Sequence, residues 1–139
     1  MSLEQALHSI KSLGGRMTKC RRAILEILEV TDSPLSAADI LLLMKDQRIS
    51  ANRTTIYREL AYLTEHDVIS EIQLLGKPSM FEKASGHRHH LICKKCDVIS
   101  SIQMKEDLEH QERQIEKEER FKITGHALAF YGICKDCQR

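Results

Sequence analysis

Four of the five cysteines stand in two pairs, and each pair has two residues between its members. The pairs are Cys93 with Cys96 and Cys134 with Cys137. At this spacing a tight turn directs both sulfurs of a pair at one ion, so two pairs supply the four thiolates of a tetrahedral zinc site. Because the protein fills all four positions, we predict a structural zinc site and not a catalytic one.

Two disulfides and a redox-active dithiol are the alternatives to zinc at these cysteines. The first residues of the chain lack the pattern of a signal peptide, so we expect a cytoplasmic protein whose thiols stay reduced. Redox dithiols of the CxxC type stand in a thioredoxin-like βαβ context, and the sequence has no such pattern. Zinc is therefore the favoured interpretation.

A second group of metal-ligand types surrounds the first cysteine pair. His87 and His89 alternate in the histidine-rich segment 86–90 and would share one face of a strand. Glu109 and His126 follow on a predicted helix and a predicted strand. Three imidazoles and one carboxylate suit zinc or iron(II). A solvated, histidine-rich loop is the alternative.

A third group of side chains has the chemistry of DNA recognition. A helix is predicted from residue 52 or 54, with Ile56, Leu60 and Leu63 on its buried face. The opposite face carries Arg53, Thr54, Tyr57 and Arg58. Arginine binds guanine edges or phosphates, and threonine and tyrosine contact thymine methyls or phosphates. An ordinary surface helix is the alternative.

The elements that position these groups form two parts of an α+β protein. Four stretches before residue 67 have apolar residues at helical spacing, with helix caps predicted at Thr18, Ser36 and Asn52 or Thr54. Extended segments then flank a turn at residues 76–79. Helices followed by a hairpin predict a winged helix-turn-helix domain over residues 1–83. Residues 84–139 form a second, smaller domain, with a polar helix over 105–120 and a strand over 121–133.

The charge of the chain is nearly balanced, with 21 lysines and arginines, 20 aspartates and glutamates, and a net charge of +1. This balance excludes a uniformly basic coat for nucleic acid. The segment 1–22 is locally basic and would attract a polyanion. Its basic residues are Lys11, Arg16, Lys19, Arg21 and Arg22, against the single acidic Glu4. No apolar run is long enough to cross a membrane.

Together these motifs resemble the ferric uptake regulator (Fur) family of bacterial metal-dependent repressors, from about residue 7 to residue 137. The segments that carry the resemblance are GGRMT at 14–18 with Arg21, SAADI at 36–40, TTIYR at 54–58, HRHHLICKKC at 87–96 and HALAFYGICKDC at 126–137. The family implies a winged-helix DNA-binding domain followed by an α/β dimerisation domain, and hence a homodimer. It also implies structural zinc at the four paired cysteines and regulatory zinc or iron(II) at His87, His89, Glu109 and His126.

The resemblance extends to the residues that would contact double-stranded DNA. It places Tyr57 and Arg58 at base-contacting positions and Arg16 where a basic residue enters the minor groove. The predicted DNA-binding residues are Arg16, Arg53, Thr54, Thr55, Tyr57 and Arg58. In a dimer, two recognition helices would meet the half-sites of an inverted-repeat operator.

The sequence departs from the family at a further metal site, which usually lies at the hinge between the domains. Of its expected ligands only Glu82 and His90 remain. Pro34 and Arg88 stand where histidines are expected, and a serine at 100 or 101 replaces a carboxylate. A fixed arginine charge repels a cation, so we expect this hinge site to be lost or rebuilt.

The sequence therefore predicts a metal-responsive repressor, not an enzyme, that controls metal-uptake or metal-homeostasis genes with iron or zinc as co-repressor. A peroxide-responsive regulator of the same family is an alternative, weakened because that response depends on iron at the hinge site. A zinc-dependent enzyme is a further alternative, but no HExxH motif is present. A zinc-stabilised interaction module without DNA contact is the third.

Overall fold

A computed structural model of the chain describes residues 1–84, 88–105 and 108–139. The chain divides into two compact units, Met1–Ser85 and Gly86–Arg139. The first unit contains four helices and a small sheet, and the second contains one helix and another small sheet. No helix in the described part of the chain has the length and apolar character needed to span a membrane.

The four helices of the first unit begin where the sequence supplies a capping side chain. They are α1 (Leu3–Ser12), α2 (Lys19–Val30), α3 (Ala37–Asp46) and α4 (Arg53–Glu65). The side chains of Ser2, Thr18, Ser36 and Asn52 each accept the backbone N–H of the residue three positions on. Such caps satisfy N–H groups that the first turn of a helix leaves without partners. The predicted caps at Thr18, Ser36 and Asn52 are confirmed.

The sheet of the first unit is a hairpin with one short added strand. Its strands are β1 (Leu35–Ser36), β2 (Ile69–Ile72) and β3 (Met80–Lys83), in the order β1-β3-β2 and antiparallel throughout. The turn between β2 and β3 contains Gly76 at a φ of 74°, a conformation that favours glycine. The predicted hairpin is confirmed, whereas the two-residue β1 is too short to give a periodic signal.

The core of the first unit is built from all four helices. Its most deeply buried members are Ile10, Ile24, Leu28, Ile40, Met44, Ile56, Leu60 and Leu63. Burying an aliphatic side chain of this size contributes about 1.5–3 kcal/mol. The core therefore fixes α4 through one face and leaves its opposite face outside, as the helical spacing predicts.

The second unit has a three-stranded sheet with β4 in the centre. Its elements are β4 (His89–Cys93), β5 (Ile99–Ile102), α5 (Glu109–Glu119), β6 (Ala129–Gly132) and a 3-10 turn (Lys135–Gln138). Strand β5 pairs antiparallel with β4, and β6 pairs parallel with it. The strand predicted over 121–133 is wrong in extent, because only residues 129–132 form β6. The described part of the predicted helix is also shorter, since α5 ends at Glu119.

Few residues are buried in the described part of the second unit. They are His89, His90, Ile92, Cys93 and Ile99. Only two of these five are aliphatic, so the apolar core is much smaller than that of the first unit. A unit of this size needs an additional source of stability, such as a bound metal or a partner subunit.

Candidate metal centres and DNA-facing surface

The four paired cysteines converge in the second unit. Cys93 ends β4, and the parallel register of Cys93 with Gly132 brings the segment after β6 beside it. Cys134 lies just before the 3-10 turn of that segment, and Cys137 lies in it. The four Sγ atoms all lie within 4.8 Å of one another. The topology of the sheet thus joins two pairs that are distant in sequence.

The spacing of the sulfurs fits a tetrahedral ion. The Sγ atoms of Cys96 and Cys134 are 3.7 Å apart, and both cysteines are free thiols. A disulfide requires about 2.05 Å between sulfurs. Four sulfurs placed about 2.3 Å from one zinc ion stand about 3.8 Å apart, which is the separation of this pair. The donor set and its geometry therefore suit zinc.

Hydrogen bonds within the cluster give its thiols different pKa values. The backbone N–H of Cys134 donates to the Cys93 Sγ at 3.3 Å, and that of Lys95 donates to it at 3.4 Å. Hydrogen bonds from the backbone, that of Cys134 above all, lower the pKa of the Cys93 thiol to about 6. A side-chain hydrogen bond with Cys134 raises the pKa of Cys137 to about 12. At neutral pH one thiolate is ready for a cation, and Cys137 must release a proton to bind it.

A second group of ligand types includes His89 and His126. His89 lies on β4 and is 2% exposed. Its ring stacks against that of His126, with ring centroids 5.5 Å apart. The Nδ1 of His126 lies 2.6 Å from the Glu112 Oε1, and both side chains are about one-fifth exposed, at 20% and 23%. Two imidazoles and a carboxylate are thus neighbours on β4, α5 and the segment before β6.

The carboxylate beside His126 belongs to Glu112, and sequence reasoning missed it. Glu109 lies one turn earlier on α5, where it accepts a hydrogen bond from Arg113 at 3.3 Å and its side chain is 57% exposed. Residues three apart on a helix share a face, so the sequence alone offers both glutamates to one ligand site. The fourth predicted ligand, His87, lies outside the described residues.

The two groups differ in how closely their ligand atoms approach one another. Across residues 1–84, 88–105 and 108–139, the four cysteines are the one set of three or more metal-ligand side chains whose donor atoms converge.

Beside Glu112 and His126 lies a cavity of about 500 Å³, with Leu108, Ile115 and Phe121 among the residues that line it. The second group therefore has open space next to its carboxylate and imidazole.

The two residues expected at the hinge site lie in different units. Glu82 is on β3 and 8% exposed. His90 is on β4, in register with Ser101 and Ala129, and 3% exposed. Both side chains are therefore buried.

The predicted DNA-binding residues of α4 lie mostly on its exposed face. Arg53, Thr54, Tyr57 and Arg58 are exposed, and Tyr57 is 53% accessible to solvent. Thr55 differs, because it is half-buried and its hydroxyl donates to the Asn52 side chain at 2.9 Å. Thr55 thus supports the cap of α4, while the other four residues can reach a ligand.

The basic residues of the segment 1–22 are less uniformly exposed than their number indicates. Arg16 and Lys19 are exposed, and the side chain of Arg22 is 52% exposed. Arg21 is buried, with 8% exposure, and forms an ion pair with Glu59 at 2.7 Å. Arg21 therefore contributes little to a positive surface, although the sequence counts it there.

Comparisons with known proteins agree on one family. The ferric uptake regulator family model matches residues 12–131 of this chain. The ferric uptake regulation protein of Bacillus subtilis (strain 168) is 36% identical, over 97% of this chain and 91% of that protein. The peroxide-responsive repressor PerR of Staphylococcus saprophyticus is 27% identical, over 98% and 91%. The structure of the Helicobacter pylori ferric uptake regulator, described as having three functional metal binding sites, has a TM-score of 0.78 at 25% identity, over 100% of this chain and 95% of that chain.

Proposed function

Because this chain belongs to the ferric uptake regulator family of DNA-binding, metal-responsive transcriptional regulators, we propose that it is a cytoplasmic homodimeric repressor of metal-uptake or metal-homeostasis genes. It is a regulator and not an enzyme. The observation that carries the proposal is the joint presence of a convergent four-cysteine cluster and an exposed arginine and tyrosine face on α4.

Zinc at the four-cysteine cluster would have a structural role. When bound, zinc supplies a rigid tetrahedral link between Cys93 and Cys96 at one end and Cys134 and Cys137 at the other. That link would hold the segment after β6 to the end of β4, in a unit with few buried aliphatic residues. The expected result is a second unit whose folding is coupled to metal binding.

A regulatory zinc or iron(II) ion would be held by His89 and His126 with a carboxylate of α5. We assign that carboxylate to Glu112, whose oxygen forms a hydrogen bond of 2.6 Å with the His126 Nδ1; the ion would take the place of the proton in this contact. His87 and Glu109 remain candidates for further ligands. Such an ion would tie α5 and the segment before β6 to β4. It can shift the protein toward a DNA-binding state only if it binds that state more tightly than the alternatives.

The DNA-binding surface would consist of α4 and the segment before α2. Tyr57 and Arg58 would contact base edges in the major groove, with Arg53 and Thr54 beside them. Arg16 would enter the adjacent minor groove. Two copies of α4 in a dimer would meet half-sites about one helical turn, or a multiple of it, apart.

A DNA-binding titration with metal-loaded full-length protein tests the proposal. A duplex is first selected by the protein from a random-sequence pool, and its Kd is measured in buffered zinc, iron(II) and manganese(II) with metal content determined on the same sample. We expect a symmetric selected sequence and a Kd that weakens when the regulatory metal is removed. A duplex without symmetry, or affinity indifferent to metal, would contradict the proposal.

Substitutions on α4 separate a DNA-binding protein from an interaction module. Tyr57→Ala and Arg58→Ala should each weaken binding about tenfold or more, since a good base contact contributes about 1–3 kcal/mol. Arg139→Ala removes an exposed arginine at the far end of the chain and should leave Kd unchanged. Equal affinity for all four proteins would show that α4 is not the recognition helix.

The similarity to a peroxide-responsive repressor supports one second candidate. In that case treatment of the iron-loaded protein with peroxide would weaken its binding to DNA. The same titration, repeated on iron-loaded protein after peroxide treatment, distinguishes the two. We expect metal-dependent binding that survives peroxide; a loss of binding after peroxide treatment would favour the peroxide response.

A further inference from the structure

The first unit buries one arginine of α2 among groups from two other segments, α4 and the connection between α1 and α2. Arg21, on α2, donates from Nε to the Glu59 Oε2 at 2.7 Å and from Nη1 to the carbonyl oxygen of Arg16 at 2.8 Å. Its guanidinium carbon lies 3.8 Å from the centroid of the Tyr62 ring. The side chains of Arg21 and Glu59 are only 10% and 13% exposed. One side chain therefore makes an ion pair, a backbone hydrogen bond and a cation–π contact in a poorly solvated place.

These contacts join two parts of the proposed DNA-binding surface. Glu59 and Tyr62 lie on α4, the helix that presents Tyr57 and Arg58. The carbonyl of Arg16 lies in the segment between α1 and α2. The same segment approaches α4 again at Gly15, where a Cβ atom would meet the Tyr62 hydroxyl. The position of the Arg16 backbone is thus set against α4 by side chains that are buried or half-buried.

The chemistry of the contact requires arginine rather than any cation. A guanidinium is planar, stacks on an aromatic ring and presents several N–H donors in a fixed fork. Lysine has one ammonium on a flexible stem, so it cannot hold both Glu59 and the Arg16 carbonyl while it stacks on Tyr62. Lysine preserves the charge but loses the geometry, and the two effects can therefore be separated.

We propose that Arg21 is a positioning residue for DNA recognition, which fixes Arg16 relative to the base-reading face of α4 without touching DNA itself. The inference rests on the proposed function, because it assumes that Arg16 and α4 contact one operator. Arg21 is mostly buried, so the protein does not offer its charge to a phosphate. Its effect on binding would act through Arg16.

A double-mutant cycle with Arg21→Lys and Arg16→Ala tests this role. The full-length, metal-loaded protein and the selected duplex are used, and Kd is measured for each variant and for the double variant. We expect each single variant to weaken specific binding about tenfold, and the double variant to be no weaker than Arg16→Ala alone. Residues that act through one another show this failure of additivity. Arg48→Lys, at an exposed arginine of the same unit, is the matched control and should keep the wild-type Kd.

Two further measurements separate positioning from other roles. Because lysine keeps the charge, Arg21→Lys should leave the affinity for non-specific duplex and its salt dependence unchanged. Glu59→Gln, which removes the carboxylate and leaves an acceptor oxygen, should reproduce the specific loss and its dependence on Arg16. Thermal denaturation followed by circular dichroism restricts the comparison to variants that are folded at the assay temperature.

Each outcome of the cycle bears on the inference. Additive effects of Arg21→Lys and Arg16→Ala, an equal loss on non-specific duplex, or a wild-type Kd for Arg21→Lys would overturn it. If Arg16→Ala, Tyr57→Ala and Arg58→Ala all keep the wild-type Kd, the assignment of the DNA-binding surface is wrong, and the positioning role falls with it.

Discussion

At the scale of single residues, the cysteines show that one residue type can have different roles. Cys93 is buried, receives backbone hydrogen bonds and has a pKa near 6, whereas Cys96 is exposed. Cys20 is half-buried, packs against the helical core of the first unit, and has a pKa raised by burial. Burial that raises a thiol pKa makes the thiol less reactive. Cys20 therefore behaves as a small apolar side chain, and only the paired cysteines have the arrangement of metal ligands.

Loss of one paired cysteine should remove zinc and the dimer together. Cys134→Ser leaves three thiolates and also changes the residue whose N–H donates to the Cys93 Sγ. We expect the variant to lose zinc in native mass spectrometry and to sediment as a monomer, because metal binding and folding are coupled in the second unit. Cys20→Ser is the matched control and should keep both. A dimeric Cys134→Ser protein with full zinc content would refute the prediction.

Glu109 and Glu112 on α5 should differ in their effect on metal binding. Glu112→Gln should lower the affinity of the regulatory site for metal by about tenfold or more, because the carboxylate beside His126 is lost. Glu109→Gln, one helical turn earlier, should change the affinity much less. Competition with a chromogenic chelator measures both variants, with zinc at the cysteine cluster monitored in parallel. The reverse ranking would return the ligand role to Glu109.

At the scale of elements, the sequence predicts the first unit better than the second. Capping side chains and helical spacing are local signals that predict α2, α3 and α4. The turn residues at 76–79, between two extended segments, likewise predict the β2–β3 hairpin. Strand β1 has only two residues and forms by pairing with β3, so no local sequence pattern predicts it. The limits of β6 likewise depend on parallel pairing with the distant β4.

The candidate site shows the same division between local and non-local signals. The CxxC spacing was sufficient to identify the cysteine cluster, because two close residues already define each half of it. The sequence spacing does not say which of Glu109 and Glu112 lies beside His126, because that depends on which turn of α5 packs there. The sequence pattern also does not predict the burial of Arg21, because its partner Glu59 is distant in sequence and contributes no local signal.

The connection between α1 and α2 packs closely against α4 at Gly15. An added Cβ at Gly15 would clash with the Tyr62 hydroxyl and lie 3.0 Å from the Ile10 Cγ2. Gly15→Ala should therefore destabilise the protein by about 1–3 kcal/mol, as is typical of overpacking. Urea denaturation followed by the helical circular dichroism signal measures the loss. Gly125→Ala, which has no atom within 4 Å of its Cβ, should leave the midpoint unchanged. Equal midpoints for the two variants would disprove the steric argument.

At the scale of the whole molecule, the two units differ in how they can be stable. The first unit has a core drawn from four helices, whereas the second has a small core and also exposes several large apolar side chains. Phe121 is 65% exposed, Ile115 is 46% exposed and Phe130 is 44% exposed. An interface with a partner subunit would cover these side chains. Such an interface is consistent with the proposed homodimer, in which zinc and a partner subunit together supply what the small core lacks.

The net charge of +1 conceals a division of charge that the salt dependence of DNA binding should reveal. Each lost phosphate contact lowers the slope of log K against log salt concentration by about 0.9, and a dimer loses two contacts per substitution. Lys19→Gln, at an exposed lysine in the first turn of α2, should therefore reduce the slope by about 1.8 if it contacts phosphate in both subunits.

Lys117→Gln makes the same change of charge on the acidic helix α5 and serves as the matched control. We expect it to leave the slope unchanged, because screening confines the effect of an exposed charge to about 10 Å at moderate salt. Fluorescence anisotropy over a range of salt concentrations measures both variants on the selected duplex. If the two substitutions change the slope equally, the total charge of the protein governs binding, and the basic segment 1–22 makes no special contribution to it. A change for Lys19→Gln alone would locate the electrostatic contact at the start of α2, beside the segment that carries Arg16.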